Sequence, residues 1–98
     1  MPMPDRMERH MTADLEPRKR RAAYRAAHRG TKEMDILLGR FSDARLAAMS
    51  AQELAEFEAL LASPDPELQR WIMDGNSVPD DRVAGLVGEL RAFHQLVA

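Results

Sequence analysis

Arg29-Gly30-Thr31-Lys32-Glu33-Met34-Asp35-Ile36-Leu37-Leu38 divides the chain in two. The residues before it are mostly polar or basic, and those after it fall into apolar stripes at helical spacing. Glycine reaches left-handed backbone conformations without steric cost, so Gly30 is placed to end one helix. Thr31 can then cap the next, with Glu33 in its first turn, where a carboxylate complements the helix dipole. A stop and a start this close predict two helices joined by a very short turn.

Beyond the turn, Met34, Leu37, Leu38 and Phe41 recur at i, i+3, i+4 and i+7, one face of a second helix. Its far boundary is open across residues 42–49, which either continue the helix irregularly or form a separate turn. Ser50-Ala51-Gln52-Glu53 matches a capping box and opens a third helix with Leu54, Phe57, Leu60 and Leu61 inward. Ser63-Pro64-Asp65-Pro66 ends it and predicts a fourth helix, with Asp65 as cap and Pro66 at the first helical position. That short helix turns Leu68, Trp71 and Ile72 inward, and Gly75-Asn76 stops it. Pro79-Asp80-Asp81 opens a fifth, expected to be the longest core helix, with Val83, Leu86, Val87, Leu90, Phe93 and Val97 in helical register.

Before the turn, Arg18 to Arg29 reads as a cationic, thinly apolar first helix in which Ala23, Tyr24 and Ala27 share a face. Residues 1–17, with three prolines, four methionines and no sustained period, read as a disordered tail. The expected architecture is therefore all-α: a compact five-helix bundle over residues 18–98, one domain, behind that tail.

Charge is segregated along the chain. Residues 18–33 hold seven basic side chains opposed only by Glu33, whereas residues 34–98 hold five basic and eleven acidic ones. A basic helix raises a nucleic-acid reading through residues 18–32, because arginine and lysine release counterions from phosphate. Against it stand the acidic body and the single aromatic, Tyr24, in the run. The absence of cysteine excludes disulfides and thiolate chemistry, and isolated His10, His28 and His94 form no metal-ligand pattern. No phosphate-cradling glycine loop or nucleophile elbow occurs, so an enzyme is not expected. No run of eighteen apolar residues is present, and the first residues lack the apolar stretch of a signal peptide, so a soluble chain in the cytoplasm is expected.

One ordered set of motifs goes further. Arg29-Gly30-x-x-Glu33 is followed by Asp35, Leu38 and Phe41, then by Leu60-Leu61 and Asp65-Pro66-x-Leu68-x-x-Trp71. This set resembles the family of bacterial SdhE and mitochondrial succinate dehydrogenase assembly factor 2, over residues 18 to 97. The resemblance implies a small five-helix assembly factor that binds the flavoprotein subunit of succinate dehydrogenase, and sometimes of fumarate reductase, and promotes covalent attachment of FAD to it. It implies no stably bound cofactor, only action on FAD held by the partner, and a chain expected to be monomeric when free. The RGxxE surface of the family meets the flavoprotein. That carries over to Arg29, Gly30 and Glu33 with Asp35 beside them, and we add Tyr24 and Lys32 as partner-binding candidates. Where the family often has a second arginine before the motif, this chain has His28.

Overall fold

The computed structural model describes the backbone of residues 3–96 and the side chains of residues 15–96. Helix α1 spans Met3–Ala27, α2 Lys32–Arg45, α3 Ala51–Leu61, α4 Asp65–Ile72 and α5 Asp81–Phe93. A single 3-10 turn, Leu46–Ala48, follows α2, and no strand occurs among the described residues. That turn resolves the boundary left open by the sequence, and it drops Leu46 and then Met49 into the core.

The stripes predicted for α2 to α5 converge. Met34, Leu38 and Phe41 meet Leu54, Phe57, Leu60 and Leu61, with Leu68 and Ile72 of α4 and Val83, Leu86, Val87 and Leu90 of α5 closing the same cluster. Leu37, Trp71 and Phe93 are half-buried at its edge. Phe93 meets Phe41 edge-on, ring centroids 5.5 Å apart, and Arg45 lies over both rings. α1 packs against α2 and α3, and α5 against α2, α3 and α4. The capping box forms as expected: Ser50 Oγ accepts from the Glu53 amide and Glu53 Oε1 accepts from the Ser50 amide. Asp80 caps α5.

Several expectations shift. Helical structure includes Leu15, Glu16 and Pro17, ahead of the Arg18 start, with Leu15 packed on the core. The side chains of residues 1–14, where most of the tail was expected, lie outside the described residues, as does Val97. The inward face of α1 is Ala22 and Ala26, four residues apart, while Tyr24 and Ala27 face outward. Packing by small side chains lets the helix lie close to α2, which periodicity counted on larger residues does not reveal. α5, at 13 residues, is shorter than α2, at 14, because the chain leaves the helix at His94, whose Nε2 donates to the Leu37 carbonyl. Asp65 does not cap α4. Pro64 holds the cap position without a side-chain bond and Asp65 is the first helical residue, its carboxylate engaged elsewhere.

Among its described side chains α1 turns only alanines and Leu15 inward, and these are supplemented by polar ties. Arg18 Nε and Nη2 donate to Glu58 Oε2 and Oε1 at 3.1 and 2.6 Å, and Lys19 Nζ donates to the Ala47 carbonyl at 2.8 Å. The Arg18 hydrogen bonds hold the Glu58 carboxyl below its ordinary value, helped by the charges of Arg18, Arg25 and Arg21 and opposed by desolvation. A carboxylate with a lowered folded value stabilises the fold fully above its unfolded value and loses that contribution as pH falls through the folded one. Glu58→Gln should therefore cost about 0.5–1 kcal/mol at pH 7 in urea unfolding, and the gap from the parent should narrow below pH 4.5 and close in strong acid. In α5, Gly85 and Gly88 are exposed, and a Cβ at either would meet nothing within 4 Å. Gly85→Ala and Gly88→Ala should each stabilise the protein by about 0.8 kcal/mol in the same assay.

Candidate docking turn

α1 ends at Ala27, three residues before Gly30, so the left-handed residue falls within the turn rather than directly behind the helix. Gly30 has φ +111°, as the sequence demands. A Cβ built there would come no closer than 4.0 Å to another group, Asp65 Oδ2, so backbone conformation and not space requires glycine. Thr31 then caps α2 with extended backbone, its hydroxyl accepting from the Met34 amide at 3.4 Å. The Asp35 amide donates to the Thr31 carbonyl, and the Asp35 carboxylate accepts the Arg29 amide.

The guanidinium of Arg29 points into the molecule, 13% exposed. Its Nε donates to Asp65 Oδ1 at 3.0 Å and its Nη2 lies 2.9 Å from the same oxygen. Nη1 donates to the Leu61 carbonyl and Nη2 to the Ser63 carbonyl at 2.8 Å. These carbonyls sit at and just beyond the C-terminal end of α3, where helix geometry leaves acceptors unpaired and a cation is favoured. Asp65 occupies the first turn of α4, where an acid is favoured. One side chain thus joins three helix ends.

The six candidates separate into two groups. Arg29 and Asp35 are half-buried and bonded within the protein. Gly30, Lys32 and Glu33 are exposed on the turn, and Lys32 and Glu33 make no ion pair or side-chain hydrogen bond with described residues. Tyr24, 66% exposed one helical turn before His28, stacks on the His28 ring at 4.0 Å. His28 Nδ1 lies 2.7 Å from the Tyr24 carbonyl, which can only accept, so Nδ1 carries the proton. Arg20, Arg21, Tyr24 and Arg25 line a shallow cleft on the same helix. Sequence reasoning missed Asp65 as the partner of Arg29. The only local signal was an acid at a helix start, which a cap explains equally well.

Among the described residues no three His, Asp or Glu side chains group as a metal site, and no helix is long and apolar enough to cross a membrane. The fold and site define a small all-α module presenting a braced helix–helix turn. The family model described as flavinator of succinate dehydrogenase matches residues 20–94, and the chain belongs to that family. It is 40% identical over 74 residues to the FAD assembly factor SdhE of Acetobacter pasteurianus, covering 76% of this chain and 68% of that one. Against the FAD assembly factor SdhE of Acinetobacter baylyi it is 30% identical over 83 residues, 85% of this chain and 96% of that one. It spans about half, 49%, of the mitochondrial succinate dehydrogenase assembly factor 2 of Dictyostelium discoideum, at 29% identity. No solved structure matches the chain.

A side chain at Gly30 would be held where L residues are strained by about 1–3 kcal/mol. Gly30→Ala should lower unfolding stability by that amount while leaving the far-UV helical signal of the folded protein unchanged.

Proposed function

We propose that this chain is an assembly factor that binds the flavoprotein subunit of succinate dehydrogenase and promotes covalent attachment of FAD to one of its histidines. The observation that carries the reading is membership of the flavinator family across residues 20–94, with the RGxxE turn inside the matched region. Gly30, Lys32, Glu33 and Tyr24 form the contact set, and Arg29 and Asp35 shape the turn from within. The chain holds no FAD of its own stably and contributes no catalytic group. It works as a monomer in the cytoplasm, and a fumarate reductase flavoprotein is a second client.

The mechanism is a population shift. Attachment requires histidine, flavin methyl carbon and charge-stabilising groups to be held together in the flavoprotein. A binder that prefers this closed arrangement raises its population, and a differential affinity of about 3 kcal/mol shifts the equilibrium more than a hundredfold. Gly30 leaves the turn small enough for close approach to the partner backbone, while Lys32 and Glu33 supply opposite charges that orient the complex. The nucleic-acid reading loses support because three cations of the basic run are engaged internally: Arg18 with Glu58, Lys19 with a carbonyl, and Arg29 with Asp65.

Purified apo-flavoprotein mixed with FAD and the chain should accumulate acid-stable, protein-bound flavin fluorescence faster than without it. Glu33→Ala and Gly30→Arg should abolish the stimulation while retaining helical content. Equal acid-stable flavin with and without the chain would overturn the reading.

A further inference from the structure

Asp65 lies 36 residues from Arg29 and outside the RGxxE pattern, yet it is the acidic partner of that pattern's arginine. We infer that Asp65 is a positioning residue for partner docking: by holding the Arg29 guanidinium it fixes the turn over residues 28–33 in the form that meets the flavoprotein. The inference rests on the function proposed above and extends the docking machinery to the α3–α4 loop.

Three features of the geometry carry it. Asp65 Oδ1 takes both Nε and Nη2 of Arg29, so the carboxylate sets the plane of the guanidinium. The remaining donors reach the Leu61 and Ser63 carbonyls, which accept no other backbone N–H among the described residues. Arg29 is also held at its amide by Asp35, so both ends of the residue are fixed before Gly30 begins the left-handed step. Asp65 Oδ2 lies 4.0 Å from where a Gly30 Cβ would stand, which puts the carboxylate directly against the turn. Lys32 and Glu33 follow within three residues and inherit their direction from this frame.

A positioning residue acts on the fraction of molecules competent to bind. The apparent dissociation constant rises as that fraction falls, while the saturated complex reacts as before. The test uses the full chain. Asp65→Asn should speed hydrogen exchange at the Arg29, Met34 and Asp35 amides of the free protein by about tenfold. It should also raise by a similar factor the concentration giving half-maximal flavin attachment to apo-flavoprotein, leaving the saturated rate unchanged. Arg29→Lys, which keeps charge but lacks the planar fork, should match it, and the double variant should be no worse than either alone. Glu33→Ala should lose stimulation with exchange at the parental rate. Asp80→Asn, which removes the charge pairing with Arg82 at the start of α5, should change neither exchange in the turn nor half-saturation.

Parental exchange in Asp65→Asn, or faster exchange with unchanged half-saturation, would overturn the inference. A parent chain that never binds apo-flavoprotein would overturn the functional reading and the docking half of this inference with it. In that case exchange in the free protein still decides whether Asp65 holds the turn.

Discussion

The guanidinium of Arg29 is the contact on which the arrangement of the α1–α2 turn and the α3–α4 loop depends. The C-terminal end of α3 presents bare carbonyls, the N-terminal end of α4 carries a carboxylate, and the chain leaving α1 must reverse before α2 begins. Each has its own electrostatic demand: a donor, a cation and a fixed backbone. A planar, permanently charged fork meets all three from one position. Because the group is largely withdrawn from water, its bonds are screened less than those of a surface pair, and removing any one partner leaves a polar group unpaired.

The same logic applies to α1 as a whole. Over its described side chains α1 buries Ala22 and Ala26, which removes far less apolar area from water than α3, with Leu54, Phe57, Leu60 and Leu61 buried. Its attachment therefore depends on the Arg18–Glu58 pair, the Lys19 bond to the Ala47 carbonyl and the Arg29 cluster. Polar ties of this kind contribute roughly 0.5–1.5 kcal/mol each, against several for a large core side chain. α1 is thus the helix whose docking responds most to salt and acid, while the α2–α5 core is governed by burial.

Most of the fold was legible in the sequence, and the exceptions share a cause. The stripes of α2 to α5, the Ser50 capping box, the opening of α5 at Pro79-Asp80-Asp81 and the left-handed backbone at Gly30 are local patterns, recorded within a few residues, and they form as read. The inward face of α1 went unread because alanine carries little periodic signal. Asp65 was misread because its partner is 36 residues distant, and an acid beside a proline at a helix start has a sufficient local explanation. The exposed candidates Gly30 and Glu33 were named by resemblance, whereas the brace beneath them has no local signature. Ser42 also escaped notice: it is buried on α2, its hydroxyl without a partner among the described residues.

A short motif is easily taken to be a set of contacts, but here its residues divide by direction. Glu33 faces outward, and Gly30 contributes a conformation and an absence of bulk. Arg29 faces inward and contributes rigidity, which matters under the binding role proposed for the chain. Ordering a flexible loop at an interface costs free energy that would otherwise appear as affinity, and a loop already fixed avoids that cost. Affinity alone, equal for open and closed partner, shifts nothing, so a surface that selects one partner conformation must itself hold one shape. A lysine in place of Arg29 would carry the charge but could not present coplanar donors to a carboxylate and two carbonyls together. The arginine and the glycine of the turn are therefore two parts of one requirement: the guanidinium fixes where the turn sits, and the glycine fixes how it bends.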